Sequence, residues 1–218
     1  ILEAHGSGAA FFDADSDGDL DLYLVNGSTF STYGHSEPNK FYQNKNGVFL
    51  DATNTSGLGD RGWGAGVAIA DINSDGNLDV FLSNFGPNAM FFNSGRGEFS
   101  SRNTGSEGDD FSASAAFFDY DLDGDLDLFV TNYVNPEIDL TSGKSPPWDP
   151  CVYLGGLRVF CGPVGLLEGL DRFYENDGEG TFADITLSSG VSKSNSSYGL
   201  GAVPADFDSD GDIDLFVA

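Results

Sequence analysis

The sequence predicts an all-β protein built from repeated units of four antiparallel strands. Its apolar runs are short, rich in Phe, Val, Leu and Tyr, and bounded by Gly, Asn and Asp, as in strands joined by tight turns. The chain has 218 residues, with 30 Gly and 19 Phe, which is enough for a packed core and many turns. The aromatic content favours a folded chain over a disordered acidic one.

An acidic stretch recurs four times along the chain. Its copies are DADSDGDLD (13–21), DINSDGNLD (71–79), DYDLDGDLD (119–127) and DFDSDGDID (206–214). Each copy follows a run of small and apolar residues and precedes an apolar run. Repetition at this period is typical of a solenoid, a propeller or an array.

A second motif, at 40–49, 89–99 and 172–182, ends in a hairpin rich in Gly and Asn. We expect Asn and Gly to supply the positive φ of these turns. Each repeat then consists of a strand, the acidic loop, a strand, a connection, a strand, the hairpin and a strand. This is the size and order of one β-propeller blade.

We therefore predict a single domain over 1–218, a partial β-propeller of four-stranded antiparallel blades. The blades are expected at about 7–56, 62–105, 111–187 and, incomplete, 198–218. The third blade is expected to carry an insertion near 135–170, between its second and third strands.

The small residues of each first strand suit the crowded innermost position of a blade, and Trp63 suits a wedge between blades. The chain starts at Ile1 and ends in an apolar run, so we expect a fragment of a longer protein.

The acidic loops, between the first two strands of each blade, predict calcium sites. Their shared pattern is D-x-[DN]-x-D-G-x-x-D, which places hard oxygen ligands at positions 1, 3 and 5. Glycine at position 6 permits the turn around the ion, position 7 offers its backbone carbonyl, and position 9 closes the shell. The predicted ligands of about four Ca²⁺ ions are Asp13, Asp15, Asp17, Asp19, Asp21, Asp71, Asn73, Asp75, Asn77, Asp79, Asp119, Asp121, Asp123, Asp125, Asp127, Asp206, Asp208, Asp210, Asp212 and Asp214.

Other interpretations of the loops are less favoured. An EF-hand needs Glu at position 12, where these loops have Leu or Val. Mg²⁺ suits a cage of so many protein oxygens less well than Ca²⁺ does. The alternative without a metal ion is a set of solvated acidic turns. If calcium binds, the side chains at position 7 are expected to face solvent, and Asn73 and Asn77 are expected to weaken the second site.

Charge and composition restrict the function. The net charge of −26 predicts repulsion from nucleic acid and anionic membranes, and no apolar run is long enough to insert into a bilayer. His5 and His35 are the two histidines, and no catalytic arrangement surrounds them in the sequence. We therefore expect no enzymatic activity from this segment.

Cys151 and Cys161 lie inside the insertion, without further Cys or His nearby to complete a zinc site. We favour a disulfide between them, formed in an oxidising compartment, over two unpaired thiols. The insertion is either a cap over a neighbouring blade or a loop that contacts a ligand.

Blades with this loop resemble the FG-GAP and VCBS repeats of integrin-α-like β-propellers. That resemblance implies calcium at the ligands named above and a ring of usually seven blades. The stretch 148–186 is similar to the secreted propellers of the cartilage acidic protein group, which often carry a C-terminal ASPIC/UnbV domain.

The expected function is an adhesion or ligand-binding module with structural calcium and an unknown protein or glycan partner. It is expected to be secreted or at the cell surface, with the periplasm as the alternative location. The alternative functions are the propeller scaffold of a calcium-dependent carbohydrate-active enzyme of the lyase type or of a phosphodiesterase, or a purely structural set of blades that scaffolds neighbouring domains.

Overall fold

The first two repeats each form a complete antiparallel sheet of four strands. The computed structural model describes residues 7–135, 151–159, 167–191 and 198–218. Within each of these two sheets, every strand pairs with the next one in the chain. The first sheet contains β1 (Ala9–Phe12), β2 (Asp21–Leu24), β3 (Lys40–Lys45) and β4 (Val48–Asp51), followed by the one-turn helix α1 (Thr53–Ser56). The second sheet contains β5 (Trp63–Ala70), β6 (Asp79–Phe85), β7 (Ala89–Asn93) and β8 (Phe99–Ser101).

The third sheet has the same order but a long connection after its second strand. It begins with β9 (Ser112–Phe118) and β10 (Asp127–Asn132). A separate hairpin follows, made of β11 (Cys151–Tyr153) and β12 (Leu157–Val159). The sheet is completed by β13 (Arg172–Asn176) and β14 (Phe182–Asp184), and β15 (Ala202–Ala205) then pairs with β16 (Asp214–Val217). The all-β class and the four-stranded antiparallel repeat are thus confirmed.

Most of the insertion expected near 135–170 lies outside the described residues, and so does Cys161, the predicted disulfide partner of Cys151. Among the described residues, no helix is both long and apolar enough to cross a membrane.

The sheets pack face to face in chain order. Phe12, Tyr23 and Phe41 of the first sheet share one buried cluster with Val80 and Leu82 of the second. Clusters of the same kind join the second sheet to the third and the third to the β15–β16 pair. Because the second and third sheets each bury both faces against neighbours, β6 and β10 are buried along their whole length.

The first strands of neighbouring sheets approach closely, as their small residues predict. A Cβ atom on Gly66 of β5 would lie 2.8 Å from the carbonyl oxygen of Ala113 in β9. A Cβ atom on Gly8, just before β1, would lie 3.1 Å from the Cα atom of Gly66. Only glycine allows backbones to come so near, so these positions set the spacing of the sheets.

Trp63 occupies the predicted wedge position. Its side chain is buried and makes edge-to-face contacts with Phe30, at 5.1 Å between ring centroids, and with Phe85, at 4.9 Å. Phe30 belongs to the β2–β3 connection of the first sheet, whereas Trp63 and Phe85 belong to the second. The indole therefore joins two neighbouring sheets.

Candidate metal centres

The four acidic stretches form the loops between the first two strands of each sheet, and their first aspartate shapes the turn. The Oδ1 atom of Asp13 accepts the backbone N–H of Asp17 at 3.2 Å, and its Oδ2 atom accepts that of Gly18 at 2.9 Å. Asp71, Asp119 and Asp206 accept the N–H groups of positions 5 and 6 in the same way. This wrapping turns the loop back over its own carboxylates.

Two positions of each loop adopt left-handed backbone conformations. The expected one is the glycine at position 6, with φ between 88° and 99° in Gly18, Gly76, Gly124 and Gly211. The other is position 4, where Ser16, Ser74, Leu122 and Ser209 have φ between 55° and 65°. The sequence gives no sign of the second, because these residues rarely take a positive φ.

Carboxylate oxygens converge within three of the loops. Oxygens of Asp13, Asp15 and Asp17 lie within 4.8 Å of one another, and so do those of Asp206, Asp208 and Asp210. In the third loop the converging group is Asp119, Asp121 and Asp127. In the second loop, Asn73 offers an amide oxygen where the others have a carboxylate.

The first loop offers a direct test of whether a cation would fit. The Oδ1 atom of Asp15 is buried and has no hydrogen-bond partner among the described residues. A buried carboxylate oxygen without a partner is costly, and a bound cation would relieve that cost. The surrounding donor set consists of hard oxygens, which suits Ca²⁺. The residues present therefore fit the ion that the sequence predicts.

The aspartates at position 9 have a second role that the sequence does not reveal. Asp79 is fully buried, and its carboxylate accepts the backbone N–H of Ile72 at 3.1 Å and that of Asn93 at 2.8 Å. Asp21 and Asp127 are buried in the same way and join the second residue of their loop to the hairpin of their own sheet. Each carboxylate oxygen keeps a further lone pair, so these bonds leave metal ligation open.

Burial perturbs these aspartates. It raises the pKa of Asp79 and of Asp127 to about 6, against the two backbone hydrogen bonds, which lower it. The pKa of Asp21 is raised for the same reason. Neighbouring loop carboxylates add to the shift through charge repulsion. A cation in the loop would favour the charged form of all three groups.

The residues at position 7 of the first three loops are half-buried, whereas fully solvent-facing side chains were expected. The Oδ2 atom of Asp19 accepts the backbone N–H of Asn46 in the hairpin, at 2.9 Å. Asn77 and Asp125 lie against the hairpin glycines Gly95 and Gly178, where a Cβ atom would collide with them. The hairpin packs beside the loop and covers these side chains. In the β15–β16 pair, Asp212 is exposed.

A lysine reaches into the first loop. The Nζ atom of Lys45 lies 2.9 Å from Asp15 Oδ2 and 3.2 Å from Asp17 Oδ2, and Gln43 Nε2 also donates to Asp15 Oδ2. The hydrogen bond to Asp15 contributes most to raising the pKa of Lys45, and the hydrogen bond to Asp17 contributes next. The sequence signal was available, because the residue after the hairpin Asn is Lys45 in the first sheet but Ser94 and Asp177 in the others.

The positive φ expected of Asn and Gly in the hairpins is found at the glycines and at Asn46, but not at the asparagine that begins each hairpin. Asn44, Asn93 and Asn176 end the strands β3, β7 and β13, and left-handed φ falls on the glycines that follow and on Asn46. Their side-chain amides instead donate to the carbonyl of position 8 in the acidic loop of the same sheet, at 3.0–3.1 Å. The asparagines thus fasten the hairpin to the loop.

A polar groove lies at the opposite end of the first sheet from its acidic loop. It has a volume of about 440 Å³ and is lined by the β2–β3 connection, including Asn26, Ser28, Thr32, His35 and Glu37. His5 lies outside the described residues. The groove offers hydroxyl, amide and imidazole groups to a polar ligand.

Comparison with known proteins agrees with this architecture. The family model described as "FG-GAP-like repeat" matches residues 13–82, 71–130 and 162–217, which together cover most of the chain. Cartilage acidic protein 1 of Xenopus tropicalis is 27% identical over 226 residues, which cover 98% of this chain and 31% of that protein. The chain therefore spans about a third of the length of this relative. With three matched stretches that each contain acidic loops, the chain belongs to the FG-GAP-like repeat family.

Proposed function

We propose that this chain is part of a calcium-binding β-propeller that acts as a ligand-binding or adhesion module. Each four-stranded sheet is one blade, and each acidic loop holds one structural Ca²⁺ ion. The observation that carries the proposal is the convergence of loop carboxylates in three copies, with oxygens within 4.8 Å of one another. Carboxylates so close repel one another unless a cation neutralises them.

Two further observations support calcium. The chain carries a formal net charge of −26, and its loops concentrate much of that charge. The buried aspartates at position 9 have raised pKa values, so the ion-free loops hold unfavourable negative charge. A bound cation removes this cost, and its binding then stabilises the folded state.

The propeller arrangement is supported by the packing of the sheets. Successive sheets stack face to face, and their Gly-rich first strands lie side by side, as expected of strands around a common axis. The domain limits of 1–218, the number of blades in the whole protein and the ligand set of each loop stay predictions.

The proposed partner is a protein or glycan, and the proposed location is secreted or at the cell surface. The family resemblance supports both, and the polar groove around His35 is a candidate contact surface. We propose no catalysis for this segment. A binding screen against extracellular matrix proteins and glycans, with and without calcium, would detect such a ligand and show whether its binding depends on calcium. Cleavage of polysaccharides in a parallel assay would favour the enzyme scaffold instead.

Thermal unfolding of chelator-stripped protein tests the calcium proposal. We expect the midpoint to rise on adding millimolar Ca²⁺ and to rise less with the same concentration of Mg²⁺. A variant with Asp17, Asp75, Asp123 and Asp210 all changed to Asn keeps the loop lengths and is the matched control. An equal rise in that variant would contradict binding in the loops.

A further inference from the structure

A continuous series of hydrogen bonds connects the acidic loops of the three complete sheets. Asn176 of the third sheet donates through Nδ2 to the carbonyl of Ile72, the second residue of the second loop, at 2.9 Å. The N–H of Ile72 donates to Asp79 Oδ2 at 3.1 Å. The other oxygen of Asp79 accepts the N–H of Asn93 at 2.8 Å. The side chain of a residue in one sheet therefore reaches the metal loop of the preceding sheet.

The same step is repeated one sheet further. Asn93 donates through Nδ2 to the carbonyl of Ala14, the second residue of the first loop, at 2.9 Å. The N–H of Ala14 donates to Asp21 Oδ2 at 3.0 Å, and Asp21 Oδ1 accepts the N–H of Asn44 at 2.7 Å. All these residues except Asn44 are buried, so water does not compete for the bonds.

We propose that Asn93 and Asn176 are positioning residues that couple cation occupancy between adjacent loops. The inference rests on the proposed calcium function. Asn93 holds the position 9 aspartate of its own loop through its backbone and the preceding loop through its side chain. An ion that orders one loop therefore fixes a hydrogen-bond partner of the next, and the next ion has less ordering to supply.

The chain contains its own control for this role. Asn44 makes bonds within its sheet that correspond to those of Asn93. Its Nδ2 donates to Leu20 O at 3.0 Å and its Oδ1 accepts the N–H of Gly47 at 2.8 Å, whereas Asn93 bonds Leu78 O and the N–H of Gly95. Asn93 additionally makes the bond to the neighbouring loop. Asn44→Ala and Asn93→Ala thus differ in the bond under test.

Each loop also contains its own reporter. The N–H of Gly18 donates to Asp13 Oδ2 at 2.9 Å, and that of Gly76 donates to Asp71 Oδ2 at 2.9 Å. The NMR signals of these two amides follow calcium titration of the first and second loops separately. The titration uses the 218-residue chain and Ca²⁺ alone.

The deciding experiment disables the first loop with Asp17→Ala and measures the calcium midpoint at Gly76. We expect the second loop to weaken by about fivefold or more, the lower end of typical coupling between sites. In the Asn93→Ala background the same change should shift Gly76 by less than about twofold, whereas Asn44→Ala should leave the coupling in place.

Three results would overturn the inference. An unchanged Gly76 midpoint in Asp17→Ala would exclude coupling while the proposed calcium function stands. A shift that persists in Asn93→Ala would assign coupling to another contact. If neither glycine responds to calcium, the proposed function itself fails. Should Asn93→Ala not fold, the same comparison is made with Asn176→Ala: Asp123→Ala disables the third loop, Gly76 reports on the second, and a shift that persists without the Asn176 side chain overturns the inference.

Discussion

Replacing Asp79 with alanine removes a buried carboxylate that accepts two backbone N–H groups, from Ile72 and Asn93. Leaving a buried donor without a partner costs about 1–3 kcal/mol, so two donors cost about 2–6 kcal/mol. Part of this returns because the buried charge is itself unfavourable, as the raised pKa of Asp79 indicates. We expect a net loss of about 2–4 kcal/mol in the free energy of unfolding, even without calcium.

The assay is urea-induced unfolding in the presence of a chelator, with two comparison variants. Asp75→Ala changes an exposed carboxylate of the same loop and should cost less than about 1 kcal/mol, although Asp75 is a proposed calcium ligand. Asp214→Ala changes the equivalent position of the β15–β16 pair, which is exposed and accepts the N–H of Phe207 at 3.0 Å. It should also be mild.

This pattern separates the structural role of position 9 from metal ligation. If Asp79→Ala were as stable as Asp75→Ala in chelator, the two backbone bonds would carry no net stability. Such a result would refute the structural role that we assign to the aspartate at position 9. If Asp214→Ala were as damaging as Asp79→Ala, burial would not be the cause.

Three further predictions concern charge, pH and packing. Lys45→Met should tighten calcium binding at the first loop by about two- to fivefold, because it removes the ammonium group that competes with calcium for Asp15. Lys40→Met, remote from the loop, should leave the calcium affinity unchanged, and calorimetric titration compares the two variants. The pKa values of Asp79 and Asp127 are raised to about 6, so the calcium-free folded state binds more protons than the unfolded chain between about pH 4 and 6. The folded state therefore loses stability as the pH rises through that range. The melting temperature in chelator should therefore be higher at about pH 5 than at about pH 7, and a higher value at pH 7 would contradict these shifts. Trp63→Ala should cost about 3–5 kcal/mol in urea unfolding, since the indole is buried between two sheets, and a loss below about 1 kcal/mol would mean that the sheets do not pack there.

The repeat pattern was sufficient to predict the fold class and the place of the acidic loops. Local spacing determines both, because the loop, the turn glycine and the flanking strands are adjacent in sequence. The close approach of the first strands was predictable as well, since runs such as GAGVAIA at 64–70 leave no other use for so many small residues.

The side-chain hydrogen bonds between repeats could not be predicted. Asn93 meets Ala14 across 79 positions, and Asn176 meets Ile72 across 104. The sequence shows these asparagines at the same place in each hairpin, but that placement predicts a turn rather than a contact with the neighbouring sheet. The burial of Asp79 was equally hidden, because its motif is that of a solvent-facing ligand loop. The asparagine hydrogen bonds and the burial of Asp79 both depend on how the hairpins pack against the acidic loops, which the spacing of the sequence does not show.

Calorimetric titration of calcium into chelator-stripped protein is the most direct test of the central claim, that the acidic loops are calcium sites. We expect about four equivalents for the whole chain, and about one fewer when Asp17, Asp75, Asp123 or Asp210 is changed to Ala. No binding at millimolar calcium, or a stoichiometry that none of these four substitutions reduces, would contradict it.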